Sequence, residues 1–250
     1  MKKIKKILLG GGLGLGIICV VLILVHLILN NMLLSTFGSG YSKAVGWYKL
    51  AAEKGYVKAQ YLLGNWYYYG EGVPKNYAEA FEWYKRAAEK GCVEAQFAMG
   101  VCYRLGQGVK QDYSKAIEWY KKAAEQGNDR AQFALGTCYG SGIGVQPDYS
   151  MAFEWYKKAA LQGNNEAQCA MGKCYSRGEG VEQDNEKALE WYTKAAELGN
   201  SEAQLHIGAH YYNLNPLRRD EAIKWITKSA EQGNKDAQAT LKWMGMIRRH

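Results

Sequence analysis

The 250-residue sequence predicts an all-α solenoid behind an N-terminal apolar helix, and three observations carry that reading. A six-residue phrase, Ala59-Gln60-Tyr61-Leu62-Leu63-Gly64, returns with starts at Ala95, Ala131, Ala167 and Ala203, each 36 residues after the last. A Gly-x-Gly-Val turn and then a Trp-Tyr helix ending in Ala-Ala follow each of the first four phrases at constant offsets. Ahead of the repeats, residues 7–29 form a 23-residue stretch without a charged side chain. A period in this range marks stacked helix-turn-helix units, none of which can bury its apolar face alone.

Residues 1–6 are a basic tail holding Lys2, Lys3, Lys5 and Lys6. Residues 7–29 are long enough to cross a bilayer as a helix. A cleaved signal peptide has a shorter apolar region, about 7 to 15 residues, and a small-x-small site. An uncleaved signal anchor is therefore expected, with secretion after cleavage as the alternative. Ile17 and Ile18 stand before Cys19 where lipoprotein processing wants small residues. Four lysines precede the span and only Lys43 follows soon after, which puts the N-terminus in the cytoplasm and the repeats outside it, in the periplasm if the cell is Gram-negative. Gly10 with Gly14 and Gly12 with Gly16 have the G-x-x-x-G spacing that would let two copies form a homodimer, although glycine is common in membrane helices generally. Residues 30–42 read as a juxtamembrane linker.

The repeats begin with a half unit, 43–55, that has a second helix (helix B) but no first helix (helix A). Full units follow at 59–91, 95–127, 131–163 and 167–199, then a shortened one at 203–233 and a capping half unit at 237–250. Helix A, about Arg130 to Tyr139 in the third full unit, carries Ala131, Leu135 and Tyr139 in four-residue steps along one apolar stripe. Its glycine, Gly136, costs about 1 kcal/mol of helix propensity against alanine, so its return in every unit predicts a close helix approach. Gly142 and Gly144 supply a turn that tolerates positive φ; no Lys-Ser or Lys-Thr follows, so it is no phosphate loop.

Helix B starts after Asn76, Asp112, Asp148 or Asp184, all side chains that cap free amides. Trp119-Tyr120 in register with Ala123-Ala124 predicts inter-repeat core. Glu118 and Lys122, like Glu82 and Arg86, stand four apart and predict solvent-side ion pairs of about 0.2–0.5 kcal/mol. Gly91, Gly127, Gly163, Gly199 and Gly233 then end the helix. Cys102, Cys138 and Cys174 hold equivalent places in successive units, where stacked helices sit ~8–10 Å apart. That exceeds the ~7 Å Cα limit for a disulfide, so buried free thiols are expected, in tension with an oxidising compartment.

The formal net charge of +8 belongs mostly to the two ends; the segment from Ser42 to Ile247 nets +2 and carries no basic stripe, which argues against nucleic acid as a partner. His206 and His210 have the four-residue spacing of two metal ligands, but Ile207 stands where a His-Glu-x-x-His metalloprotease needs glutamate. The other histidines are only His26 and His250, and no Gly-x-Ser-x-Gly elbow is present. No catalytic residue, metal site or cofactor is expected.

Taken in order, Ala-Gln-x-x-x-Gly, Gly-x-Gly-Val, Asp-x-x-Lys-Ala and Trp-Tyr-x-Lys-Ala-Ala closely resemble the Sel-1-like repeat family, relatives of tetratricopeptide repeats, over residues 43–250. The resemblance implies a right-handed α/α superhelix and a scaffold or adaptor for protein complexes, with some members touching envelope polymers. A cysteine-rich branch with a disulfide in each repeat does not apply, because its cysteine positions fall here on residues such as Ala88 and Gln96. If helix A lines the concave face, as in the tetratricopeptide fold, Tyr61, Tyr68, Phe97, Arg104 and Phe133 form a candidate partner-binding patch, since aromatics and arginine dominate binding hot spots. The same row would otherwise pack against the neighbouring helix A. The expected function is a membrane-anchored, non-enzymatic scaffold that binds a peptide or protein partner. An envelope polysaccharide or peptidoglycan module, stacking sugars on exposed tyrosines, is the alternative, and a hydrolase would need a polar cleft that the sequence does not display. The absence of an Asn-x-Ser/Thr sequon fits a bacterial envelope protein.

Overall fold

The computed structural model describes residues 38–214 and 218–245, and among these it forms twelve helices and no strand. Helices of the A type are α2 (Val57–Tyr69), α4 (Val93–Leu105), α6 (Asp129–Ser141), α8 (Asn165–Arg177), α10 (Ser201–Leu214) and α12 (Lys235–Trp243). Helices of the B type are α1 (Gly38–Glu53), α3 (Tyr77–Glu89), α5 (Tyr113–Glu125), α7 (Tyr149–Leu161), α9 (Asn185–Glu197) and α11 (Arg219–Glu231). Each helix packs chiefly on the one before and the one after it, so the core is a string of small clusters in place of one centre. α1 starts at Gly38, inside the stretch expected as linker, so the helix of the half unit runs ahead of the repeat register. The expected span 7–29, the tail 1–6 and Gly10, Gly12, Gly14 and Gly16 lie outside the described residues. Among those described, no helix is long and apolar enough to cross a membrane.

The helix-A glycine is explained by its neighbour. A Cβ built on Gly136 would stand 2.5 Å from Tyr156 Cδ1, and Gly64, Gly100 and Gly172 face Tyr84, Tyr120 and Tyr192 in the same way. The tyrosine of the Trp-Tyr pair therefore lies inside its own unit, flat against the glycine backbone. The tryptophan shares a buried cluster with the preceding unit: Trp83 with Tyr48 and Ala52 beside Leu63 and Trp66 of its own unit, and Trp155 with Ala123 and Ala124 beside its own Leu135 and Cys138.

Capping follows the sequence reading. Asp112 Oδ1 accepts from Lys115 N at 3.0 Å, Asp148 Oδ1 from Met151 N at 2.8 Å and Asn76 Oδ1 from Ala78 N at 3.0 Å. A second set caps helix A: Asn128, Asn164, Asn200 and Asn234 each accept from the amide of the motif alanine. In the turn, Gly106 (φ 68) and Gly108 (φ 74) are left-handed, and a Cβ on Gly108 would come within 2.1 Å of the Tyr77 carbonyl oxygen of the preceding unit.

The expected ion pairs do not form. Among the described residues neither Glu82–Arg86 nor Glu118–Lys122 is within ion-pair distance; the cation turns back over the tryptophan three residues earlier. Lys122 Nζ lies 4.1 Å from the Trp119 ring centre, Lys158 Nζ 4.1 Å from that of Trp155 and the Arg86 guanidinium 4.5 Å from that of Trp83. An indole face attracts a cation by about 0.5–1 kcal/mol, whereas a carboxylate four residues away in water offers less.

The glutamine of the motif has a structural task. Gln132 Nε2 donates to the Ala124 carbonyl at 3.1 Å, in the last turn of the preceding helix B, as a second donor beside the Gly127 amide, and Gln60, Gln96, Gln168, Gln204 and Gln238 repeat the bond. Cys92, Cys102, Cys138, Cys169 and Cys174 are all free, as expected. Burial pushes the Cys102 and Cys169 thiols up to about 12, so both stay protonated packing groups.

Candidate functional site

The helix-A row is built by aromatic rings lying on the glycine-bound tyrosines. The Phe97 ring centre is 5.7 Å from that of Tyr120, Phe133 is 5.7 Å from Tyr156 and Tyr61 is 6.0 Å from Tyr84. The glycine lets the tyrosine sink, the tyrosine carries the second-position aromatic, and that ring stays half-exposed at the surface.

Three of the five residues expected to bind a partner come together. Phe97, Arg104 and Phe133 line a cavity of about 340 Å³ between α4, α6 and α8, with Tyr120, Arg130 and Thr137. Phe133 and Thr137 are shared with a second cavity of about 470 Å³ that continues past Cys169 to Lys173 and Arg177. Tyr61 and Tyr68 sit one unit earlier. The Tyr68 hydroxyl bonds Gln107 in the next turn and its ring lies 5.2 Å from Tyr77, so it serves contact between units.

The charges of the two cavities differ. In the larger one, Lys173 Nζ is 2.7 Å from Glu202 Oε2 and Arg177 is 3.6 Å from Glu179, so both cations are answered within the chain. In the smaller one, Arg104 Nε donates to the Tyr120 hydroxyl at 3.2 Å and the Arg130 guanidinium lies 4.9 Å from the Phe97 ring centre. Neither arginine has a carboxylate within ion-pair distance among the described residues. Burial pushes the Tyr120 phenol up to about 12, against the pull of Arg104.

A third cavity, about 460 Å³, holds His206 and His210 with Ser176 and Tyr192. His206 stacks on Tyr192 with ring centres 4.5 Å apart and planes 17° from parallel. Burial lowers its pKa from the ordinary 6.5, with Glu202 opposing. Among the described residues no three His, Cys, Asp or Glu side chains are grouped to hold a metal ion.

Two features escaped the sequence reading. Arg130 belongs to the site because it precedes the motif alanine, a place that reads Lys58, Glu94, Arg130, Glu166 and Glu202 along the chain; the change of sign was the available signal. His206 covers Tyr192 because Cys169 leaves that tyrosine without the aromatic found in the earlier units, and the following helix A fills the place.

Helix pairs joined by one glycine-on-tyrosine contact, one buried glutamine bond and one tryptophan bridge define an α-solenoid whose helix-A row is its cavity-bearing surface. The chain belongs to the Sel1 repeat family: the family model matches residues 40–56, 57–92, 93–128, 129–164, 165–200 and 201–234. It is similar to a Sel1 repeat protein from Oxalobacter formigenes, with 37% identity and a TM-score of 0.76 over 80% of this chain and 81% of that one. It is also similar to c5321, a protective antigen of uropathogenic Escherichia coli strains that displays an SLR fold, with 37% identity and a TM-score of 0.54 over 80% of this chain. This chain spans only 51% of that antigen. No curated protein sequence matches it. Sel1 repeat proteins generally mediate protein–protein interaction and are typically non-enzymatic.

Proposed function

We propose that this protein is an adaptor that holds a peptide or protein segment along the concave, helix-A side of its solenoid. The observation that supports it is the pair of joined cavities, sharing Phe133 and lined in the smaller one by Phe97 as well, whose half-exposed rings rest on rigid tyrosines. Rigid aromatic anchors in water-excluding pockets are what make a binding hot spot. The polymer alternative would stack sugars on the same half-exposed rings, Tyr61, Phe97 and Phe133, because the tyrosines beneath them, Tyr84 and Tyr120, are buried at 2% and 1% exposure.

In the same reading the run 7–29 anchors the chain in the membrane with the repeats outside the cytoplasm, on the strength of the lysine asymmetry, and the paired glycines bring two copies together. Protease treatment of intact spheroplasts should then remove the repeats and spare the tail.

A photo-crosslinking residue at Thr137, inside the row, tests the binding face against one at Glu118, on the outer side of helix B. The full-length protein in its native membrane should crosslink a partner from position 137. A folded F97A/F133A variant should lose that product. Crosslinks from position 118 alone would overturn the assignment.

A further inference from the structure

We infer that the segment bound in the smaller cavity is an acidic peptide, with an apolar side chain seated between Phe97 and Phe133 and carboxylates meeting Arg104 and Arg130. This rests on the groove reading above and names the chemistry of its partner.

The argument is one of charge left unanswered. Along this solenoid, cations of the helix-A row are usually neutralised by the chain itself: Lys58 by Glu94 at 3.3 Å, Lys173 by Glu202 at 2.7 Å and Arg177 by Glu179 at 3.6 Å. Arg104 and Arg130 are the exceptions within the cavity that holds Phe97 and Phe133. Each is held in place without its charge being satisfied. Arg104 spends Nε on the Tyr120 hydroxyl, at 3.2 Å, and among the described residues its terminal nitrogens have no hydrogen-bond or ion-pair partner. Arg130 lies on the Phe97 face, 4.9 Å from the ring centre, so the aromatic surface orients the guanidinium while leaving its edge open.

Such a fork matches a carboxylate with two parallel hydrogen bonds, and orienting it beforehand reduces the entropy lost on binding. Arg104 is in the last turn of α4 and Arg130 in the first turn of α6, so the two charges flank the phenylalanines from opposite ends of the row. Glu166, the carboxylate of the lining, sits in the first turn of α8, is exposed and pairs with neither arginine. It favours peptides that keep their acidic groups on the α4–α6 side. The cavity, about 340 Å³, takes one large aliphatic or aromatic side chain.

The test selects random twelve-residue peptides displayed on phage against the full-length protein in mild detergent, then measures the winners by fluorescence anisotropy. The selected peptides should combine aspartate or glutamate with one large apolar residue. R104Q/R130Q, which alters two exposed side chains, should weaken them about tenfold or more, as should F97A, and wild-type affinity should fall with salt. Winners lost in F97A/F133A but unaffected by R104Q/R130Q would overturn the acidic partner while leaving the groove in place. Winners indifferent to both variants, or none at all, would overturn the groove as well. Binding of polygalacturonate that requires both arginines, with no peptide selected, would overturn the peptide in favour of an anionic polymer.

Discussion

Leu198 interrupts a hydrogen-bond ladder and offers a direct test of how the repeats are held together. In three units the residue just before the helix-ending glycine is a glutamine that completes the buried motif glutamine: Gln126 Nε2 donates to Gln96 Oε1 at 2.6 Å, Gln162 to Gln132 at 2.8 Å and Gln232 to Gln204 at 2.8 Å. In the unit between the last two, Leu198 occupies that place, 56% exposed, and the buried Gln168 Oε1 has no hydrogen-bond partner among the described residues. The backbone is already suitable, since Leu198 (φ −81, ψ 5) has the conformation of Gln162 (φ −86, ψ 0).

A buried acceptor left unpaired costs about 1–3 kcal/mol, and a new bond from a partly exposed donor returns about 0.5–1.5 kcal/mol after ordering its side chain. Leu198→Gln should therefore raise stability by about 1 kcal/mol, roughly 2–4 °C in Tm for a chain of this size. Gln162→Leu should impose the same defect on Gln132 and lose at least as much. Thermal and urea unfolding of the two variants, followed by far-UV circular dichroism, reads the change. Hydrogen exchange should confine it to α8, α9 and their neighbours, because solenoid stability is a sum of nearest-neighbour terms. If Leu198→Gln leaves Tm unchanged or lowers it while Gln162→Leu is harmless, the glutamine ladder is not a source of stability.

Gly136→Ala should destabilise by about 1–3 kcal/mol in spite of better helix propensity, because its Cβ meets the Tyr156 ring at 2.5 Å; Gly46→Ala, with nothing within 4 Å, should stabilise by about 0.5–1 kcal/mol, and equal signs in urea melts would refute the contact. Asn164→Ala removes the cap of α8 and the 2.8 Å bond to Asp129 Oδ2, and should cost about 1–2 kcal/mol, measured the same way. His206 has a folded pKa below 6.5, so the unfolded chain binds its proton first as pH drops; stability should be full above about pH 6.5 and fall as pH falls through that window toward the folded pKa. A His206→Phe variant, which keeps a ring on Tyr192, should flatten that part of the profile, and an unchanged pH profile of Tm would show that His206 does not carry it.

The repeat period alone determined that the chain is an α-solenoid. A recurring phrase of fixed length can be read without coordinates because every unit must meet its neighbours in the same way. Helix caps were legible for the same local reason: Asp112 and Asp148 bond amides only three residues away. Gly136 announced a close approach, but only tertiary structure showed that it accommodates Tyr156 of its own unit. The motif glutamine was visible as a repeat and not as a bond, because its acceptor lies eight residues back on a different helix, as in Gln132 to Ala124. Lys122 was expected to meet Glu118 and lies on Trp119, since the indole faces the side of helix B that packing turns toward the cation.

The candidate site divides in the same way. Phe97, Arg104 and Phe133 were found from sequence as positions that vary while the core repeats. Arg130 was found only in space, because what places it is the Phe97 ring of the preceding unit, 33 residues before it in the chain. Local periodicity encodes backbone architecture, which depends on residues within one turn or one repeat. Which charges are cancelled and which are left for a partner depends on distances between side chains of successive units, and only the stacked helices determine those.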